Sequence, residues 1–169
     1  EGIENFPWVT QCNLGHNTEL ESIDISGLEK VTKVDTGGDT MLSEINLGAN
    51  ACQLSQGERI GVEKITVIGS GVTSINLTAR YISGDQLKEF DVTQCPALTS
   101  INATGRDQLT TIYITAEQEG KITLSGSSAE FVVRVDGQCS LPPDYTSLAV
   151  AALDRTGVDV VGGVQLATG

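Results

Sequence analysis

Hydrophobic and polar positions follow one short template along most of the chain: apolar-x-x-apolar-x-apolar, usually closed by a small residue. Leu20-Glu-Ser-Ile23-Asp-Ile25, Val31-Thr-Lys-Val34-Asp-Thr36 and Leu42-Ser-Glu-Ile45-Asn-Leu47 open the series. Val62-Glu-Lys-Ile65-Thr-Val67 and Val72-Thr-Ser-Ile75-Asn-Leu77 continue it. Leu87-Lys-Glu-Phe90-Asp-Val92, Leu98-Thr-Ser-Ile101-Asn-Ala103 and Leu109-Thr-Thr-Ile112-Tyr-Ile114 follow. The alternation at the end of each unit predicts a short strand, because successive strand side chains point to opposite faces. Ile23 and Ile25 then share one face, and Leu20 reaches the same interior after a bend.

The unit starts Leu20, Val31 and Leu42 are 11 residues apart, as are Leu87, Leu98 and Leu109. Two adjacent units make a 22-residue period, within the range of one solenoid coil. One wall takes the units starting at Leu20, Leu42, Val62, Leu87 and Leu109. The opposite wall takes Val31, Val72 and Leu98, with Cys52-Gln-Leu54 and a weak unit near Ala129-Glu-Phe131-Val-Val133-Arg-Val135 as further members. A single coil cannot bury its apolar face, whereas stacked coils align equivalent positions into one column. About five coils hydrogen-bonded as a parallel ladder, at about 4.8 Å per coil, make a stack about 24 Å deep. The spacing slips between Leu42 and Val62 and between Val72 and Leu87. The segments 48–60 and 79–86 are therefore expected as loops, where solenoids often bind.

Leu87-Lys-Glu-Phe-Asp-Val-Thr-Gln-Cys95-Pro-Ala-Leu98-Thr-Ser-Ile-Asn-Ala-Thr-Gly resembles the leucine-rich repeats of Bacteroidetes-type bacterial surface proteins, similar to internalin-like and surface-antigen repeats. Residues 87–115 carry the resemblance well and 20–48 fairly, whereas 49–86 are irregular and 138–169 do not match. The resemblance implies a mainly β, leucine-rich-repeat solenoid of about five coils with parallel strands, capped at both ends. It also implies a bacterial surface or secreted location. The corresponding divisions are an N-terminal cap at 1–19, the solenoid at 20–137, and a C-terminal cap or linker at 138–169. Within the last, Pro142-Pro143 ends the repeats, Thr146 to Arg155 suits a short helix, and Val158 to Leu166 reads as a strand-like tail.

Composition agrees with strands and tight turns, with abundant Thr, Ser and Gly and only 4% aromatic residues. The net charge of −12 argues against nucleic acid and anionic membrane surfaces, which need clustered Lys and Arg. No apolar run is long enough to span a membrane, so membrane insertion is not expected. The first residue is Glu1 rather than Met, as in a chain trimmed after a signal peptide or one with a chosen start; export is the expectation.

Cys12, Cys52, Cys95 and Cys139 are spaced by 40, 43 and 44 residues, close to two coils each time. Val9-Thr-Gln-Cys12 and Val92-Thr-Gln-Cys95 are the same phrase, which suggests one structural role at the turn after a strand. Neighbours two coils apart would be about 9–10 Å from each other, beyond the disulfide limit of roughly 7 Å between Cα atoms. Free, buried thiols are the expectation. Close Cys pairs suited to zinc are absent.

Catalytic motifs are missing: no Gly-x-Ser-x-Gly elbow, His-Glu-x-x-His or phosphate loop occurs. His16 is the only histidine and reads as a surface turn residue beside Gly15 and Asn17. Asp35-Thr-Gly-Gly-Asp39 brings two carboxylates together but lacks the further oxygen ligands of a calcium loop. No cofactor or metal is expected.

What remains for function is the outward slot between two core residues, filled by Asp24, Asp35, Asn46, Thr66, Asn76, Asp91, Asn102 and Tyr113. It is repetitive and reads as solvated. Thr32, Thr73, Thr99, Thr110 and Thr111 are also expected to face outward, making a flat polar surface suited to protein, glycan or even ice. The expected function is non-enzymatic binding or adhesion to a protein or glycan through this wall. Asn46, Thr66, Asp91 and Tyr113 are the candidate wall residues, with Arg80 and Tyr81 from a loop. The alternative is a structural subunit of a filament or virion, joined to its neighbours through the solenoid ends or the 138–169 tail.

Overall fold

The computed structural model describes residues 6–79 and 83–133. Its strands are β1 (Gln11–Asn13), β2 (Ser22–Asp24), β3 (Lys33–Asp35), β4 (Glu44–Gly48), β5 (Gln53–Ser55) and β6 (Lys64–Gly69). They continue as β7 (Ser74–Asn76), β8 (Glu89–Gln94), β9 (Ser100–Asn102), β10 (Thr111–Ile114), β11 (Thr123–Ser125) and β12 (Glu130–Val133). The odd-numbered strands form one six-stranded parallel sheet, β1-β3-β5-β7-β9-β11, and the even-numbered strands another, β12-β10-β8-β6-β4-β2. The chain thus alternates between an odd wall and an even wall, making a parallel β-solenoid of about five turns. A 3-10 turn at Ala116–Gln118 is the one helical element among the described residues.

The template positions form the core. Leu20 and Val62 are half-buried, and every other first, fourth and sixth position of the eight units is buried. Cys12, Val34, Leu54, Ile75, Ile101 and Leu124 stand in register along the odd wall. Each burial removes apolar area from water that an isolated coil would leave exposed.

A further inward position closes each regular unit, three residues after its last core residue. Leu28, Asp39, Asn50, Cys95 and Arg106 occupy it and are all buried. Their amides donate back to the carbonyls of Ile25, Thr36, Leu47, Val92 and Ala103, turning the chain toward the opposite wall. The outward Asp or Asn slot serves the same corner from outside. Asp24, Asp35, Asn46, Asn76, Asp91 and Asn102 each accept, through Oδ1, the amide two residues on. These side-chain turns satisfy backbone groups that leave the ladder at the strand end.

The sequence alignment of the coils needs three corrections. The weak unit at Ala129–Val133 lies on the even wall, where β12 pairs with β10, not on the odd wall. The missing odd-wall strand is β11, whose Ile122-x-Leu124 alternation lacks the leading apolar residue of the template. Finally, Ile45 stands opposite Val67 rather than Ile65. The Leu42-to-Val62 interval of 20 residues is two short of a coil. A two-residue slip absorbs the deficit while keeping the same side chains inward, which a one-residue slip would not. Gly48 marks a separate one-residue irregularity, standing opposite Gly69 where Leu47 would continue the register, with φ of 59° and a Cβ position only 2.8 Å from Ser26 Cα. The first strand, β1, falls within the segment read as an N-terminal cap and pairs with β3. Cys52-Gln-Leu54 supplies β5 on the odd wall, and Leu54 is buried. The expectations for 134–169, including the short helix and tail, lie outside the described residues.

Phe90 is fully buried in β8, pairing with Ile65 on one side and Ile112 on the other. Phe90→Ala is expected to destabilise the chain by about 3–5 kcal/mol. Gln53→Ala, on the exposed odd wall, should stay within about 0.5 kcal/mol. Urea unfolding of both variants checks the contrast.

Candidate binding wall

The outer faces of the two walls differ in chemistry. The odd wall presents Gln11, Lys33, Gln53, Ser74, Ser100 and Thr123 in one register row. Asn13, Asp35, Ser55, Asn76, Asn102 and Ser125 make the next. Lys33 and Asp35 are the only charges in these rows and offset each other. Beside them runs a groove of about 340 Å³ lined by Asn13, Asp35, Ser55, Asn76 and the backbones of Gly15, Gly37 and Gly57. Gly15 is required there, since a Cβ would meet Gly37 O at 2.6 Å. His16 lies at its rim, exposed in a turn with φ of 67° and 3.7 Å from Glu58.

The even wall carries the charge and the aromatic ring. Thr66, Asp91, Tyr113 and Val132 form one lateral row. Asn46 does not join it: the register slip sets Asn46 beside Asp24 and Ile68 in the neighbouring row. Lys64 Nζ lies 4.8 Å from the centroid of the Tyr113 ring. The same ammonium is 3.8 Å from Glu89 Oε2 and 3.7 Å from Asp91 Oδ2. A cation over a ring face and between carboxylates is held by both the ring quadrupole and the opposite charges. Asp91 departs from the solvated slot expected of it: its side chain is only 3% exposed. Its Oδ1 accepts from Thr93 N at 3.2 Å and Thr93 Oγ1 at 2.8 Å. Asp24, Glu44 and Glu130 add exposed carboxylates to this wall. The hydroxyl and amide of Ser26 hold the Asp24 carboxyl below its ordinary value. Arg80 and Tyr81 lie outside the described residues.

The expected outward threonines split between outward display and coil-to-coil bonding. Thr32, Thr73, Thr99 and Thr110 are exposed and Thr111 half-buried. The hydroxyls of Thr32, Thr99 and Thr110 donate to Thr10, Thr73 and Lys88 carbonyls of the preceding coil. These donors therefore tie coils together rather than meeting a ligand.

Sequence reasoning missed a buried clamp beside the second insertion. Arg106 Nη1 meets Asp85 Oδ1 at 2.5 Å. Its Nη2 donates to Gln56 O at 2.9 Å and its Nε to Leu77 O at 2.5 Å. Asp85 Oδ1 also accepts from Ile60 N at 2.9 Å. Burial pulls the Arg106 guanidinium below its ordinary value, and Asp85 opposes the shift. The pair fastens the end of the 79–86 segment to the coils of Gln56, Leu77 and Arg106. A signal for it exists: Arg106 follows Cys95 by 11 residues, as Asn50 follows Asp39. Gln118 plays a similar part, donating through Nε2 to the carbonyls of Val92 and Cys95.

Asp35 and Asp39 do not converge on a shared site. Asp35 caps its own turn at Gly37, whereas Asp39 turns inward and accepts Asn17 N at 2.7 Å. Among the described residues no three His, Cys, Asp or Glu side chains are grouped to hold a metal ion. Cys12, Cys52 and Cys95 are free and buried, as the spacing predicts, and Cys139 lies outside the described residues. Burial raises the Cys12 thiol and pushes Cys52 to about 11 and Cys95 to about 12. Their roles differ, however. Cys12 is central in β1 on the odd wall, Cys52 precedes β5, and Cys95 fills the corner after β8 on the even wall. The twin phrases ending at Cys12 and Cys95 therefore occupy opposite walls.

No protein-family model, no curated protein and no solved structure matches this chain significantly.

Arg106→Met leaves Asp85 buried without its cation and is expected to cost roughly 3–5 kcal/mol. Urea unfolding should show much of this loss restored in the Arg106→Met, Asp85→Leu double variant. A second outcome concerns Asp39, whose carboxyl burial raises above its ordinary value of 3.8. Between 3.8 and the raised native value, the folded state binds the proton more readily than the unfolded state. Stability from this group therefore falls as pH rises through that window. The unfolding free energy of the wild type minus that of Asp39→Asn should grow as pH is lowered from 7 toward 4.

Proposed function

We propose that this chain is a non-enzymatic binding or adhesion module of a bacterial surface or secreted protein, recognising a protein or glycan through its even wall. The solenoid is read as a leucine-rich-repeat type with a cap at each end. The observation that carries the reading is the unequal use of the two walls. The odd wall is flat, small and almost uncharged, while the even wall groups Lys64, Glu89, Asp91 and Tyr113 in contact. A tyrosine ring, a residue type enriched at binding hot spots, and closely held charges are thus gathered on one face of a rigid scaffold. Thr66 shares a lateral row with Asp91 and Tyr113, and Asn46 adds a polar neighbour in the next.

A second reading, a structural subunit of a larger assembly, draws on the first coil. Trp8 is 78% exposed and Phe6 59% exposed beside β1, which is the end strand of its sheet among the described residues. An unpaired strand edge with apolar neighbours suits contact with another subunit. Solution mass by light scattering separates the readings, since a monomer at all concentrations would sink the assembly.

Panels of immobilised glycans and extracellular proteins test the binding reading. Tyr113→Ala and Thr66→Ala should lower a captured signal at least about fivefold, the scale of a hot-spot side chain. Ser74→Ala and Ser100→Ala on the odd wall should leave it unchanged. Failure to capture any panel member, or capture indifferent to the even-wall changes, overturns the proposal.

A further inference from the structure

The even wall is acidic as well as aromatic. Asp24, Glu44 and Glu130 are exposed along it and take part in no ion pair among the described residues. Lys64 is the only cation on its strands, and it is already engaged by Glu89, Asp91 and the Tyr113 ring. The odd wall, by contrast, is neutral along its outward rows. The even strands carry Asp24, Glu44, Glu89, Asp91 and Glu130 against Lys64 alone, so a partner meets more negative charge on this face than on the odd rows.

We propose that the even wall docks a basic, extended protein segment, and that a Lys or Arg of that segment takes the place over Tyr113 now held by Lys64. This rests on the binding-module reading and names its partner class. Three observations favour a basic protein over a glycan. The exposed carboxylates complement cations, which neutral sugars lack. The Tyr113 ring is covered by an ammonium, so it is a poor platform for sugar stacking but a demonstrated seat for a cation. The acidic positions run from β2 to β12, and five strand steps at about 4.8 Å span roughly 24 Å. That length suits about seven residues of extended chain rather than one small cation. Lys64 acts as a resident competitor: it keeps the seat filled until a partner with several cations displaces it.

The probe is a labelled ten-residue oligolysine peptide titrated by fluorescence anisotropy against the full chain at about 0.15 M salt, where only close charges act. Lys64→Met should tighten binding about threefold to tenfold. Lys33→Met makes the same charge change on the odd wall and should leave affinity unaltered. Tyr113→Leu, which changes no charge, should weaken binding about twofold to fivefold, and Tyr113→Phe should restore it. The Glu44→Gln, Glu130→Gln double variant should weaken binding and flatten its salt dependence. Circular dichroism confirms that each variant is folded. Equal tightening by Lys33→Met and Lys64→Met would show a mere net-charge effect and overturn the inference. No oligolysine binding, with a glycan or a non-basic protein captured on the same wall, overturns it while the binding module stands. No binding to any probe overturns both.

Discussion

Everything in this solenoid depends on the parity of its strands. Each strand has at least one inward residue that must meet an inward residue of the coil before it. Cys12, Val34, Leu54, Ile75, Ile101 and Leu124 satisfy that condition on one wall. A shift by one residue would bury the Asp and Asn slots and expose the Ile and Val column. A shift by two keeps the faces, and the β4–β6 pairing uses it where the chain is two residues short. Among the described residues, single-residue shifts occur only beyond this central register, at Gly48 opposite Gly69 and at Ile68 opposite Gln94. The outer rows of the stack, and so its available chemistry, are set by the same condition.

Corners are the second requirement. A coil that turns twice must satisfy backbone groups that the ladders do not reach. Outside, Asp and Asn side chains accept the amide two residues on. Inside, a buried corner residue fills the space, and its type varies from Leu28 to Asn50 to Arg106. Where the repeat is regular, the corner is apolar at Leu28 and Cys95, a carboxyl at Asp39 and an amide at Asn50. Beside the 79–86 insertion the corner holds a full guanidinium, which ties Gln56, Leu77 and Asp85 together. The interruption that adds residues to the repeat is thus matched by a corner whose guanidinium bonds to two carbonyls and a carboxylate.

Function falls to what the fold leaves outside. Because equivalent outward positions from successive coils lie about 4.8 Å apart, small differences between units add up along a wall. Ser-Ile-Asn appears in both β7 and β9 and makes a plain surface. Lys-Ile-Thr, Glu-Phe-Asp and Thr-Ile-Tyr, from β6, β8 and β10, make a charged and aromatic one. Lys64 comes close to Tyr113 although β8 lies between their strands, a long side chain reaching over one strand. The carboxylates beneath it stabilise that reach.

The spacing of Leu, Ile and Val was enough to determine the two-walled solenoid and its core, because side-chain alternation and stacking are local rules repeated along the chain. It also placed Asp91, Thr66 and Tyr113 in one row and kept the described cysteines apart. Only the tertiary structure decided the slip that removes Asn46 from that row, the wall taken by Ala129–Val133, and the burial of Asp91 under Lys64. It alone joined Arg106 to Asp85. These outcomes depend on which coil lies against which and how far its register has moved. Such distances accumulate through insertions, and no short stretch of sequence contains them.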